Sequence, residues 1–252
     1  MMGDAQRPKI SIITITFNAA QTLERTILSV ARQSCKSIEY IIVDGASTDG
    51  TMDIVARYSD IVTKYISEPD EGLYFAMNKG LTMACGDYVW FLNAGDEIKA
   101  SNTVDAMFSR TKNADVYYGD TEMTDFEGNT IGRRRLAPPE NLTWKSFRHG
   151  MLVSHQSFVA RRDLCPQYDV TYRFSADFDW CVNILKKAQS ICNTQLILSR
   201  FLDGGITKQN IAAGLRERFR IMTKHYGLVP TIFFHIPIAA KFMWFWATRG
   251  RF

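Results

Sequence analysis

The sequence lacks most of the short motifs that assign a chemistry on their own. It has no G-x-x-x-x-G-K-[ST], no G-x-G-x-x-G, no G-x-S-x-G and no H-E-x-x-H. A P-loop, a dinucleotide fingerprint, a serine-hydrolase elbow and a zincin helix are therefore disfavoured. The five cysteines (Cys35, Cys85, Cys165, Cys181 and Cys192) are an odd number and form no C-x-x-C pair. That argues against a disulfide framework or a structural zinc site, and it fits a reducing cytoplasm. No tract is low in complexity and no repeat is visible, which sets aside solenoids and arrays. Residues 1–9 are short and polar, without the apolar core of a signal peptide, so nothing there argues for export.

What is present suits one well-packed α/β domain with a small appendage, in a chain of 252 residues. The net charge of +4 is unevenly spread. From residue 207 onward eight Lys or Arg face a single acid, Glu217, so that stretch carries +7 and residues 1–206 carry −3. A neutral-to-acidic body with a basic, aromatic tail points to an anionic partner surface. The apolar content of the tail favours a membrane, and no nucleic-acid partner is expected.

Residues 9–17 are β-branched and almost continuously apolar, as expected of a strand covered on both faces. Residues 18–33 then read as a helix, with Leu23, Ile27, Val30 and Ala31 at helical spacing. Strands at 39–43, 65–67 and 88–92 alternate with helices at 51–58 and 76–84. Such alternation implies βαβ units, parallel pairing and right-handed crossovers. Ligands in such sheets bind beyond the carboxyl ends of the strands. Polar clusters stand at those ends: Asn18, residues 44–49 and residues 93–96. Beyond Asp96 the pattern is mixed, with strands at 115–119, 156–160 and 195–201, a helix at 178–188, and a mobile arginine-rich loop at 128–139.

Three constellations can carry chemistry. Asp44 ends a buried strand and is followed by Gly45, Ser47, Asp49 and Gly50. A carboxylate there can hydrogen-bond ribose hydroxyls, or the segment can be a strand-to-helix turn with Ser47 or Asp49 as the N-cap. Asp96, at the end of Asn93-Ala-Gly-Asp96, offers a hard oxygen ligand of the kind Mg²⁺ takes alongside substrate phosphates; the plainer reading is an exposed turn. Asp177 and Asp179 lie in the aromatic run Phe174-Ser-Ala-Asp-Phe-Asp-Trp180. Apolar flanks desolvate a carboxylate and make it a better proton acceptor. Asp177 is expected to be catalytic and Asp179 to help hold a helix start. His155, beside apolar neighbours, reads as a packed side chain.

Taken together these motifs resemble the family 2 inverting glycosyltransferases of the GT-A fold, over roughly residues 9–206. The resemblance rests on Thr16-Phe17-Asn18, on Ile41-Ile-Val-Asp-Gly-Ala-Ser-Thr-Asp-Gly-Thr51, on residues 68–80 and on residues 86–96. It extends to enzymes that assemble bacterial surface polysaccharides. It implies a mostly parallel sheet flanked by helices, with residues 1–98 as the nucleotide-sugar half and 99–206 as the acceptor half. It implies a donor site formed by Thr16, Asn18, Asp44, Ser47, Asp49, Asp70, Asn78 and Asn93, and a UDP-sugar as the commonest donor. Asp96 would hold a divalent metal (Mn²⁺ or Mg²⁺), and Asp177 would be the base that activates a hydroxyl acceptor. Three positions depart from the common pattern. Asn93 and Gly95 replace the first two acids of the metal motif, Ala176 replaces the Glu before the base, and Met77 stands where many relatives carry Arg.

Residues 207–252 read as an amphipathic helical tail. Ile211, Leu215, Phe219, Met222 and Tyr226 share one helical face, and Arg216, Arg220 and Lys224 share another. Pro230, His235, Pro237 and Lys241 interrupt the apolar stretch that follows, which suits an interfacial helix with Arg249 and Arg251 at its edge better than a membrane span. These features lead us to expect a cytoplasmic enzyme, peripheral on the inner face of the cell membrane, with a lipid-linked glycan as acceptor; a homo-oligomer stays open. Two rivals remain. A sugar-phosphate nucleotidyltransferase would carry an early Gly-rich loop, yet residues 11–22 contain no glycine. A non-catalytic nucleotide-sugar scaffold is the other.

Overall fold

The computed structural model describes residues 9–204 and 211–236; the outer parts of the expected tail, with Lys241, Arg249 and Arg251, lie outside the described residues. The apolar run at the start forms β1 (Ile10–Thr16), buried at every position. Its alternate side chains serve two cores. Ile13 and Ile15 face one layer of helices, and Ile10 and Ile12 face the other. Burial on both faces is why no polar alternation marks this strand.

Parallel crossovers then build outward from β1. α1 (Leu23–Ala31) leads to β2 (Ile38–Asp44), α2 (Thr51–Arg57) to β3 (Lys64–Ser67), and α3 (Leu73–Met83) to β4 (Tyr88–Phe91). The strand order β3-β2-β1-β4 reverses direction of growth at β1, so the ends of β1 and β4 bound a crevice. The short β5 (Glu97–Ile98) and α4 (Thr103–Arg110) follow. The second half comprises β6 (Val116–Thr124), β7 (Thr130–Arg133), β8 (Phe158–Arg161), α5 (Ala176–Lys187) and β9 (Ile191–Leu202). The sheet continues β4-β8-β6-β9-β5, with β7 on β6. Its long ladders, β1–β2 and β6–β9, are parallel, and the ladders of β8, β5 and β7 are short and antiparallel. The expected α/β sheet is therefore present, with an antiparallel admixture in its second half.

Two expectations need correction. The loop expected at 128–139 contains β7, whose four residues are all exposed. An edge strand with neither face covered carries no alternation to read. In α6 (Ile211–Tyr226), Ile221 and Met222 are buried in the main core beside Gly214, whereas Leu215 is 41% exposed. The expected apolar face is thus split, with Met222 buried and Leu215 exposed. Among the described residues, no helix is long and apolar enough to cross a membrane.

Close approach of α3 to the sheet requires a glycine. A Cβ on Gly80 would stand 2.5 Å from Ile13 Cγ2, in a strand with no room to move. Gly80→Val should lower stability by about 1–3 kcal/mol through overpacking, read as a fall in Tm. An unchanged Tm would show that α3 can lift from β1.

Candidate active site at the carboxyl ends of the strands

Asp44 closes β2 and is 0% exposed. Its carboxylate accepts the Ser47 N–H (2.9 Å), the Ser67 hydroxyl (2.7 Å) and the Ser47 hydroxyl. Ser47 Oγ in turn accepts the Asn18 N–H at 2.7 Å, and Asn18 Oδ1 accepts the Thr48 N–H at 3.0 Å. Asp49 bonds the N–H of Ala20 and both the N–H and the hydroxyl of Thr51. The Thr51 and Ala20 bonds hold the Asp49 carboxyl below the usual carboxylate range. The turns after β1 and β2 are thereby one hydrogen-bonded knot. Asn18 (φ 47°) and Ala46 (φ 62°) both adopt left-handed backbone within it. For alanine that costs about 1–2 kcal/mol, and such strain collects at functional sites.

Around the knot lie groups without protein partners. Thr16 Oγ1 and Asn93 Oδ1 are buried and make no hydrogen bond. They lie at the carboxyl ends of adjacent strands, because β1 and β4 pair in parallel up to Ile13 and Phe91 and the Ala94 N–H bonds Ile15 O. Buried polar atoms are rarely left unpaired. Phe17, 65% exposed, lies against Gly45, where an added Cβ would meet its ring at 3.2 Å. Asp70 borders the same glycine and is salt-bridged to Lys79. Asn78 stands apart from this group. Its amide nitrogen bonds Tyr168 O (3.0 Å) and its oxygen accepts the Tyr168 N–H (2.7 Å), so both ends hold the chain at Tyr168.

Asp96 is 3% exposed, and its Oδ1 accepts the Leu202 N–H at 3.0 Å. The exposed turn that the plainer sequence reading foresaw is therefore absent. Gly95 permits this approach: its φ is +99°, and a Cβ would meet Leu202 Cδ2 at 2.7 Å. Burial pushes the Asp96 carboxyl up to about 7, against the opposing bonds and the charge of Arg25. A carboxylate so desolvated gains from a cation. A hard divalent ion takes oxygen ligands, and Asp96 and the unpaired Asn93 Oδ1 are the groups here that could serve as such. Among the described residues no three His, Cys, Asp or Glu side chains converge, so any ion here draws its remaining ligands from substrate and water.

Asp177 stands half-buried in the first turn of α5. The Tyr74 hydroxyl donates to its Oδ1 at 3.2 Å, as does the Phe178 N–H at 2.9 Å, and among the described residues none bonds Oδ2. Tyr74 lies in the first turn of α3, just past the Asp70 loop, so its bond ties Asp177 to the start of that helix. Burial, then the Asp177 charge, pushes the Tyr74 hydroxyl well above its ordinary value. Behind it Tyr74 stacks on Tyr168 (5.6 Å), which stacks on Trp180 (5.0 Å). His155 is buried with Nε2 2.7 Å from the Tyr168 hydroxyl, and burial lowers its proton affinity. It is packed, as its apolar neighbours suggested. Arg134 is half-buried with Nη2 on Met151 O at 3.0 Å. Burial and Arg218 push its guanidinium below the ordinary arginine value, against the pull of Asp177 and Asp120.

Phe17, Tyr74 and Arg134 escaped the sequence reading. The first two lie inside the quoted motifs, and an aromatic in a polar turn was the available signal for Phe17. Arg134 sits in a triple-arginine run that reads as solvated surface.

Residues 11–168 match the family model described as glycosyl transferase family 2. The chain is a family 2 glycosyltransferase. It is 33% identical over 185 residues to the PGL/p-HBAD biosynthesis glycosyltransferase of Mycobacterium bovis, covering 69% of this chain and 68% of that protein. Among solved structures, S. aureus TarS superimposes with a TM-score of 0.67 at 17% identity, over 96% of this chain and 75% of that one. TarS has also been solved with UDP-GlcNAc (TM-score 0.65, 20% identity, 85% of this chain and 64% of that one). Mannosyltransferase PcManGT from Pyrobaculum calidifontis, with GDP-Man and Mn²⁺, gives 0.64 at 17% identity, over 98% of this chain and 77% of that one. At such identities these structures establish the fold, which is GT-A type.

Thr16→Val should raise the stability of the free glycosyltransferase by about 1 kcal/mol, since it removes an unpaired buried hydroxyl. Urea denaturation reads the change; a loss of stability would mean that the hydroxyl is satisfied in the free protein.

Proposed function

We propose that this glycosyltransferase moves a sugar from a nucleotide-diphosphate donor, UDP-linked, to a hydroxyl acceptor by one in-line displacement that inverts the anomeric carbon. The observation that carries this reading is Asp177 Oδ2, which no described residue bonds, together with the unpaired polar atoms of Thr16 and Asn93 at the ends of β1 and β4. The nucleotide sugars bound by TarS and by PcManGT on the same fold support it.

In this reading Phe17 stacks on the base, and Asp70 and the knot of Asn18, Asp44, Ser47 and Asp49 shape the nucleoside pocket. Thr16 and Asn93 meet the ribose and diphosphate, and Asn78 acts through the Tyr168 backbone. Asp96 and Asn93 would hold a divalent ion, which when bound neutralises charge on the departing diphosphate. Asp177 Oδ2 takes the proton of the acceptor hydroxyl as that oxygen attacks the anomeric carbon. The bond from carbon to the diphosphate oxygen breaks, and the nucleotide leaves with the electron pair. Tyr74 holds Oδ1 so that Oδ2 faces the acceptor.

The acceptor in this proposal is a lipid-linked glycan of bacterial polysaccharide assembly, met at the inner face of the cell membrane. The helical segment 228–236 supports it. Leu228, Val229, Ile232, Phe233 and Ile236 share one face and are 48–78% exposed. Exposed Arg216 and Arg220 on α6 add positive charge, the pattern of an interfacial helix.

Calorimetric titration with UDP and with GDP, each with and without Mn²⁺, tests the donor. Binding of UDP, strengthened by Mn²⁺ and weakened in Thr16→Val, is expected; binding of neither nucleotide would overturn the UDP assignment and point to another nucleotide carrier. Asp177→Asn should lower kcat for donor turnover by about 10²–10⁴-fold with little change in nucleotide Kd. Equal loss in both would remove Asp177 as the base. Vesicles of phosphatidylglycerol and phosphatidylethanolamine should bind the wild-type chain and release Phe233→Asp. Failure of the wild type to bind them would remove the membrane and leave the transfer reading standing.

A further inference from the structure

The start of α5 is capped in an unusual way. Ser175, its N-cap residue, makes no side-chain capping bond to its own helix; its hydroxyl donates instead to Gly214 O on α6, at 3.3 Å. The loop just before it is held by Glu217, also on α6. Oε1 accepts the Arg173 N–H and Oε2 the Phe174 N–H, both at 2.8 Å. Two residues beyond Asp177 the same helix takes hold again. Asp179, 3% exposed, accepts His225 Nε2 (2.7 Å) and Lys224 Nζ (3.1 Å). α6 therefore grips the chain on both sides of Asp177.

We infer that Glu217 is a positioning residue for the transfer step, setting through the Arg173 and Phe174 backbone where α5 begins and where Asp177 Oδ2 points. This rests on the reading of Asp177 as the base. A carboxylate suits the task, having two acceptor oxygens and no donor, so each oxygen takes one of two successive N–H groups. A negative charge at a helix N-terminus is also favoured by the helix dipole. Glu217 is close enough that its charge, behind those of burial and Asp177, bears on the Tyr74 hydroxyl. Its place among Arg216, Arg218 and Arg220 makes it the exception on a cationic helix. That exception has a defined partner in the catalytic half.

A misplacement of about 1 Å at a reacting group costs on the order of 10²-fold in rate. Glu217→Gln keeps the shape and one acceptor; Glu217→Ala keeps neither. The expected result for Glu217→Gln, per folded protein, is a kcat at least about tenfold lower with donor KM and nucleotide Kd unchanged. Hydrogen exchange should rise in the peptide 172–180 and stay level in β1 and β2. Glu217→Gln decides the matter if Glu217→Ala does not fold. Unchanged exchange in 172–180, or an unchanged kcat while Asp177→Asn is inactive, would overturn the inference. Full turnover in Asp177→Asn would instead overturn the assignment of the base. The exchange measurement needs no substrate and stands whichever donor the calorimetry selects.

Discussion

A carboxylate withdrawn from water must find donors or lose several kcal/mol, and Asp44 finds the donors to its side chain in the turn that follows it and at the end of β3. Ser47 and Ser67 answer it directly, and Ser47 passes the constraint to Asn18 and so to the turn after β1. The ends of β1, β2 and β3 are tied together by this one buried charge. The left-handed conformations of Asn18 and Ala46 persist because the knot over-determines them. Only then are Thr16 and Asn93 held where their polar atoms reach no protein partner. The donor end is thus rigid first and receptive second.

The acceptor end is built on the opposite plan. Asp177 rests on a short aromatic stack, Tyr74, Tyr168 and Trp180, contributed by α3, an irregular loop and α5. No run of residues there is self-contained. Asn78 shows the difference between the two ends. It lies in a donor-type motif, yet its amide is committed to the Tyr168 backbone on the acceptor side.

How much of this was legible follows from where each signal is stored. β1, β2 and β4 are buried on both faces, so their apolar runs and the polar clusters that end them could be read one after another. The positions of Asp44, Asp96 and Asp177 came from those ends and from the family resemblance. The burial of Asp96 did not, because it depends on Leu202, which is 106 residues away. β7 was hidden by its exposure, and α4 by its brevity and its place in a mixed-pattern region. The packing of α6 was not legible because Glu217 and Lys224 bond the loop before α5 and Asp179 within α5. Hydrophobic spacing marks which residues avoid water, and it is silent about which polar residues are claimed by distant backbone.

The separation between Tyr74 and Asp177, 103 residues, has a consequence for the order of assembly. The four parallel strands of the donor end are complete once Phe91 has been synthesised, and their pairings span modest stretches of chain. The grip on α5 needs residues up to His225. A ribosome releasing this chain from its N-terminus therefore lets the proposed nucleotide cradle form before Asp177, the proposed base, can be fastened. A nascent chain with its cradle paired would still have α5 unfastened, so the proposed chemistry waits on α6.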